Sequence, residues 1–186
     1  MRSGERGLSI FSPRYKNHNI GDLWVRRCGR VASLCAQGWK IRCALGRSGV
    51  TRQKREGDGA TPLGVFKILF WRIRPEFRGR RPSAPWRLTR HNDGWCDDAA
   101  HPAYNLPIRL PFGASAETMW RGDDKYHAVG VLDYNLRSRA KGAGSAIFFH
   151  ICDSDFGPTA GCVAIPAREM RKLAPRLARR TRIRIV

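Results

Sequence analysis

A histidine and a cysteine twelve residues apart are the residues of this sequence most suited to chemistry. His150 ends the apolar run "SAIFFH", and Cys162 follows the turn-rich segment "ICDSDFGPTAG". A thiol becomes an effective nucleophile when a histidine within hydrogen-bond reach takes its proton and later returns it to the leaving group. If "SAIFFHI" is a buried strand, His150 lies at its end and Cys162 at the mouth of the next strand. The spacing is therefore compatible with a Cys162–His150 pair, although a lone cysteine and histidine at such a spacing are more often an accidental pair than a catalytic one.

The turn before the cysteine favours a substrate site. Thr159, Ala160 and Gly161 are small, so a substrate backbone could approach closely and backbone N–H groups could serve as oxyanion donors. Thr159 is a candidate either for holding the turn or for donating to the substrate. From residue types alone an alternative stays open, because cysteines are often buried and inert. Cys152 is the rival thiol, on the same strand face as His150, but no comparable turn precedes it.

Four residues between positions 95 and 104 are further candidates for substrate binding. Asp97 and Asp98 could bind a substrate amine, or they could form Asx turns. Trp95 and Tyr104 could line a pocket, or they could pack in the core.

The residue pattern predicts no metal site. His91, Cys96 and His101 are the residues that could ligate zinc together with Asp97, but their spacing matches no standard zinc site. The segment "GDGATPLG" contains no G-x-x-x-x-G-K-[ST] phosphate loop, so it is interpreted as a turn that enters a strand.

Short apolar segments separated by Gly, Pro, Asn and Asp predict a mainly β protein. A C-terminal helix is predicted after Pro166 and should end or kink at Pro175, and a shorter helix is predicted over Ser115–Asp123. Pro82–Pro111 is predicted to be a long ordered loop. The predicted strands are Leu23–Cys28, Gly29–Ala36, Trp39–Gly46, Gly64–Ile73, His127–Tyr134, Ser145–Ile151, Gly161–Ile165 and the terminal "TRIRIV".

Length and composition indicate one globular domain. The 186 residues are enough for a core without disulfides, and the six cysteines contain no C-x-x-C pair, so reduced thiols are expected. No apolar run approaches the roughly 20 residues that span a bilayer. The basic N-terminus lacks the apolar region of a signal peptide. We expect a cytoplasmic protein, or a periplasmic one if the start codon is misassigned.

The formal net charge of +20 is high and can be explained either by an anionic partner or by a role in solubility. Lys and Arg crowd both ends of the chain, whereas Asp and Glu gather in the middle. Such a field attracts nucleic acid, anionic lipid or an acidic small substrate. A solubilising surface is the alternative, and the sequence does not separate these interpretations.

Four further segments resemble one enzyme family. They are "GRSGVTRQKREGDGATPLGVFKI" (46–68), "DGWCDDAAHPAYN" (93–105), "SAETMW" (115–120) and "GAGSAIFFH" (142–150). Together with the T-A-G-C sequence that ends at Cys162, they resemble the YkuD-type L,D-transpeptidases. Residues 1–22 match least, so the catalytic domain is expected to span 23–186. The resemblance implies a mainly β, YkuD-like β-sandwich with a C-terminal α-helix.

The resemblance also implies a reaction, and one that needs no metal and no organic cofactor. Cys162 would attack the carbonyl before the terminal D-Ala of a peptidoglycan tetrapeptide stem, with His150 as base and then acid. Gly161 and Cys162 N–H groups would form the oxyanion hole, and the Ile151 carbonyl would orient His150. Ala160 stands where most members have histidine.

Two questions stay open from the sequence. The thioester could pass to an amine, as in a transpeptidase, or to water, as in an L,D-carboxypeptidase that recycles muropeptides. A basic binding module for nucleic acid or wall polymer, with structural Cys and His, is the non-enzymatic alternative. No specific nucleic acid is expected as a partner, and the oligomeric state is not predicted.

Overall fold

The chain folds mainly into strands. The computed structural model describes residues 20–28 and 31–186. Its elements are β1 (Ile20–Cys28), β2 (Val31–Ala36), β3 (Trp39–Cys43), β4 (Val50–Thr51), β5 (Thr61–Pro62), β6 (Gly64–Ile73), β7 (Trp86–Leu88), β8 (Asp93–Cys96), β9 (Pro107–Arg109), β10 (Ala116–Thr118), β11 (Ala128–Leu132), β12 (Phe148–Ile151), β13 (Val163–Ile165), α1 (Ala167–Leu173) and β14 (Leu177–Ile185), with 3₁₀ turns at Asp124–Tyr126 and Ala174–Arg176.

One large sheet dominates the fold and curls until its edges meet. Its strand order is β13-β12-β11-β6-β14-β1-β2-β3, and β7 adds to β6. Ala44, just after β3, exchanges two backbone hydrogen bonds with Ala164 of β13, at 2.8 and 3.0 Å. This contact joins the first and last strands of the order, so the sheet is nearly a barrel.

The principal core lies inside the curled sheet. Side chains alternate between the two faces of a strand, and the inward ones here are apolar. Leu23 and Val25 of β1 and Ile183 and Ile185 of β14 are fully buried or almost so. Helix α1 adds Met170 and Leu173 to this core, whose remaining members come from every long strand of the sheet. Each such side chain contributes about 1.5–3 kcal/mol through burial.

A second, smaller core lies on the outer face of the same sheet. There the three-stranded sheet β10-β8-β9 covers β11 and β12. Asp93 of β8 forms a buried ion pair with Arg72 of β6, which ties the small sheet to the large one, and it also pairs with Arg109 of β9 within the small sheet. The second core contains Trp95, Met119, Tyr126, Val129, Val131, Phe148 and Cys162. Because β11 and β12 are covered on both faces, every residue of both strands is buried.

The predicted mainly β fold with a C-terminal helix is confirmed, and β6 has the predicted bounds. Helix α1 ends at Leu173 and passes into a 3₁₀ turn that contains Pro175, as predicted. Residues 29 and 30 of the predicted second strand, and residues 1–19, lie outside the described residues. In the described part of the chain, no helix is both long and apolar enough to cross a membrane.

The helix predicted over Ser115–Asp123 is wrong. Residues 116–118 form β10, which pairs with β8, and Asp123 then caps the 3₁₀ turn at Asp124–Tyr126. A nine-residue helix is marginal by itself, so pairing with an available strand edge overrides local propensity. The predicted loop Pro82–Pro111 is likewise interrupted by three strands: β7 adds to β6 of the large sheet, and β8 and β9 belong to the small sheet that covers it.

Candidate active site

Cys162 and His150 lie on the same outer face of the large sheet and line one cleft. Strands β12 and β13 are parallel, and His150 pairs with Ala164, two residues after Cys162. Two residues apart on a strand share a face, so the cysteine and the histidine point to the same side. The cleft has a volume of about 300 Å³ and includes both side chains in its lining.

The Cys162 thiol is held by backbone groups. The Phe148 N–H donates to Sγ at 3.3 Å, and the thiol donates to the Ala146 carbonyl oxygen, also at 3.3 Å. Burial raises the pKa of Cys162 to about 12, and the nearby Glu117 carboxylate acts in the same direction. The resting thiol is therefore protonated at neutral pH.

His150 is oriented as a neutral base. Its Nδ1 lies 2.8 Å from the Ile151 carbonyl oxygen, which only accepts, so Nδ1 carries the proton and Nε2 keeps its lone pair. Tyr126 packs edge-on against the imidazole with ring centroids 5.2 Å apart. Burial lowers the pKa of His150 to about 4. The contact with Ile151 is the one that the resemblance implies, and its catalytic role stays a prediction.

The turn before Cys162 is fixed by hydrogen bonds. The Thr159 hydroxyl donates to the Cys162 carbonyl oxygen at 2.7 Å and accepts the Gly161 N–H at 3.1 Å. Gly161 has φ +148°, and a Cβ there would stand 2.9 Å from the Ala60 carbonyl oxygen. Glycine is therefore required at this position. Thr159 holds the turn, and the Gly161 N–H is engaged within it.

The glycine-rich segment forms another wall of the cleft. Lys54 is buried, and its Nζ donates to Asp58 Oδ1 and to the Arg55 carbonyl oxygen, each at 2.6 Å. The Asp58 carboxylate also accepts the N–H groups of Arg55 and Ala60 at 2.8 Å. This network gives the "KREGDGA" turn one rigid shape beside Gly161 and places a positive charge in the lining.

Glu117 is a cleft residue that the sequence did not single out. It pairs with Trp95 across β10 and β8, which directs both side chains to the same face of the small sheet. The Tyr126 hydroxyl donates to Glu117 Oε1 at 2.5 Å, and Arg121 Nη1 lies 3.9 Å from the same oxygen. Burial raises the pKa of Glu117. The alternation of side chains in "AETM" is the sequence signal for a strand, and therefore for the position of Glu117. A helix is predicted over these residues instead.

Of the four predicted substrate-binding residues, the structure places only Asp97 in the cleft lining. Its Oδ1 is buried and has no hydrogen-bond partner in the described part of the chain. Asp98 Oδ1 accepts the Ala100 N–H at 2.8 Å, which is an Asx turn.

Trp95 and Tyr104 are packing residues near the cleft. Both are buried, and neither belongs to the cleft lining. Trp95 Nε1 donates to Asn105 Oδ1 at 3.0 Å, and its ring packs edge-on against Phe148. The Tyr104 hydroxyl donates to Glu56 and accepts the Gly144 N–H at 3.0 Å. The core-packing alternative therefore describes both residues.

Among the other described thiols and histidines, one cysteine shares the cleft with Cys162. Cys152 lines the cleft, and burial raises its pKa to about 11. The cysteines whose side chains are described are free thiols. His91 stacks on Trp120, and His101 packs against Phe112. Among residues 20–28 and 31–186, no three His, Cys, Asp or Glu side chains come close enough to hold a metal ion.

The structure is thus a mainly β domain with a C-terminal helix, and its cleft brings a cysteine and a histidine together. The model of the YkuD family, the L,D-transpeptidase catalytic domain, matches residues 24–185. The chain therefore belongs to the YkuD family, whose members are enzymes. Searches of curated proteins and of solved structures gave no significant match.

Proposed function

We propose that the protein is an L,D-transpeptidase in which Cys162 is the nucleophile and His150 the general base and acid. The observation that carries this proposal is that Cys162 and His150 line one cleft. In that cleft the His150 proton is on Nδ1, so Nε2 can accept a proton. The thiol proton passes to Nε2 while Sγ attacks the carbonyl before the terminal D-Ala. His150 then protonates the leaving amine, and a thioester remains on Cys162. An incoming amine completes transfer and releases the thiol.

The pKa directions support proton transfer during attack. A pKa raised to about 12 for Cys162 and one lowered to about 4 for His150 favour the neutral pair over a thiolate–imidazolium pair. Such a site forms little charge before substrate binds. The base therefore acts at the moment of bond formation, which is general base catalysis.

The lining of the cleft fits a substrate that carries charges of both signs. Arg47, Lys54, Arg121 and Lys125 supply positive charge for the carboxylates of a stem peptide. Asp97, with its buried and unpaired Oδ1, suits the side-chain amine of a diaminopimelate residue.

The test is incubation of the full chain with a disaccharide-tetrapeptide, followed by mass spectrometry of protein and products. We expect D-Ala release and an acyl adduct on Cys162, both absent in Cys162→Ala. Cys152→Ala is the matched control, because it removes a second thiol from the same cleft and should keep the adduct.

The products decide between transfer and hydrolysis. A cross-linked dimer supports the transpeptidase. Tripeptide alone would replace it with the L,D-carboxypeptidase alternative. If the folded wild-type protein released no D-Ala and formed no adduct, both reactions would be excluded for this substrate.

A further inference from the structure

The outer face of the large sheet has a second half, which the small sheet does not cover. It is formed by β3, β2, β1, β14 and the first half of β6, in that order. We call it the basic face and define it by the outward side chains Asp22, Trp24, Arg26, Ser33, Cys35, Lys40, Arg42, Val65, Lys67, Arg182 and Arg184.

Strand register places these side chains in rows across the sheet. One row runs Val65, Arg184, Trp24, Cys35, Lys40 across five strands. Neighbouring rows join Lys67 to Arg182 and Asp22, and join Arg26 to Ser33 and Arg42. The face thus carries six cations and one carboxylate, and that carboxylate, Asp22, is held between Arg182 and Arg184.

Large apolar side chains are exposed among these charges. Trp24 is 38% exposed and Val65 is 48% exposed. They lie in the same row, on either side of Arg184. Leu69, farther along β6, and Val186, just after β14, are also exposed. Solvated apolar groups inside a positive surface mark an interaction site, since a face needed only for solubility would carry few of them.

The geometry points to the basic face as a docking surface for a membrane that contains anionic phospholipid. Lys and Arg attract the lipid phosphates, while Trp and aliphatic side chains enter the interfacial region. This inference goes beyond the proposed function and does not depend on the catalytic cleft. It would hold the enzyme at a membrane surface without a membrane-spanning helix.

The same observations argue against nucleic acid as the occupant. Bases would stack on an open aromatic ring, but the guanidinium groups of Arg26 and Arg184 already lie over Trp24, 5.6 and 5.1 Å from the ring centre. Exposed Val65 and Leu69 offer bases no stacking surface, whereas they partition readily into lipid.

Charge also argues against the chain's own N-terminal segment as the occupant. Residues 1–19 contain four Lys or Arg and one Glu, so their net charge repels the basic face. An anionic surface has the complementary charge.

The experiment is sedimentation of the full chain with vesicles of phosphatidylcholine alone and of an equal mixture with phosphatidylglycerol. We expect binding to the mixed vesicles only, and its loss at roughly 1 M salt, where the Debye length is about 3 Å. Absence of binding to the mixed vesicles at low salt would overturn the inference.

Variants separate a specific face from overall charge. The pair Lys40→Glu and Lys67→Glu should weaken binding by about tenfold or more. The matched pair Arg137→Glu and Arg168→Glu changes the net charge equally at exposed positions outside this face and should retain most binding. Trp24→Ala should weaken binding several-fold through lost apolar contact. Equal losses in both charge pairs, with circular dichroism unchanged, would reject the basic face.

Two further readouts complete the test. A fluorescent single-stranded oligonucleotide is measured at the same salt, and tighter binding to it than to mixed vesicles would replace lipid with nucleic acid. D-Ala release from the soluble tetrapeptide should be unchanged in Lys40→Glu, Lys67→Glu. Failure of vesicle binding is therefore distinguishable from failure of the proposed enzyme.

Discussion

The two halves of the outer face of one sheet differ in what covers them. Over β11 and β12, the small sheet leaves a cleft at its margin, and the strands are buried on both sides. Over β1 and β14, the described chain adds no second layer, and buried and exposed residues alternate. A covered face gains a low-dielectric site, whereas an open face keeps its charges available to a partner.

The difference is clearest in the charged groups of each half. On the covered half, burial raises the pKa of Cys162 and lowers that of His150, so both groups are neutral at rest. On the open half, the side-chain hydrogen bonds from Arg184 and Arg182 lower the pKa of Asp22, which stays ionised. The same strand periodicity therefore produces buried, neutral groups on one half and a charged surface on the other.

The largest effect is expected for His150→Gln. If His150 is the base, its loss should reduce D-Ala release by about 10²- to 10⁴-fold, because no group then removes the proton from the Cys162 thiol during attack. Vesicle binding should remain as in the wild type. Steady-state kinetics and sedimentation of the same preparation check both statements. If His150→Gln lost vesicle binding together with D-Ala release, the covered and open halves of the face would not act independently.

The ion pair between the sheets should be the most sensitive point for stability. Asp93→Asn leaves Arg72 buried without its charged partner and should lower the free energy of unfolding by about 3–5 kcal/mol. Urea denaturation followed by circular dichroism measures the change. A loss below about 1 kcal/mol would show that the small sheet is not held by this pair.

The acid limb of the activity profile should reflect the burial of His150. Because its pKa is lowered to about 4, His150 stays neutral and active as pH falls through 6.5, and activity is lost only near pH 4. At pH 5.5 an ordinary histidine would already reduce the rate about tenfold. Acylation rates between pH 4 and 8 test this. A limb near 6.5 would indicate that His150 is solvated in the working enzyme.

Glu117→Gln should have a smaller effect, on the reactivity of the Cys162 thiol. Removing a negative charge beside Cys162 lowers the thiol pKa, so alkylation of Cys162 by iodoacetamide at fixed pH should accelerate a few-fold. Peptide mass spectrometry follows this cysteine separately from the others. Asp98→Asn, outside the cleft lining, is the control and should leave the rate unchanged.

The smallest effect is expected on the open half. Asp22→Asn breaks the contacts with Arg182 and Arg184 but should cost only about 0–1 kcal/mol of stability, since these partly exposed surface pairs are screened by water. The same variant removes the only carboxylate of the basic face and should tighten vesicle binding. A stability loss as large as that of Asp93→Asn would contradict the contrast between the halves.

Much of the fold was predictable from local pattern. The apolar alternation of "TRIRIV" and the run Gly64–Ile73 are strand signals that tertiary contacts reinforce. The order of strands was not predictable, because β1 pairs with β14 from the other end of the chain. Pairing at that distance leaves no local signal.

The site was predictable in its centre and not at its margin. Cys162 and His150 follow from their types, their spacing and the family resemblance. Glu117 depends on a strand that forms only when β8 supplies an edge, so its position is a tertiary property. The roles of Trp95 and Tyr104 were open for a related reason, since an aromatic residue beside a site either lines it or supports it.

The two backbone hydrogen bonds between Ala44 and Ala164 have a consequence for when the cleft forms during folding. Strand β13 carries the turn with Cys162 at its start, and it is held on one side by β12 and on the other by residues that follow β3. These two partners come from distant parts of the chain, and contacts of large sequence separation form at a high entropic cost. Cys162 therefore reaches its place in the cleft only when the curled sheet closes, so a partly folded chain would carry this thiol without the groups that surround it in the folded protein.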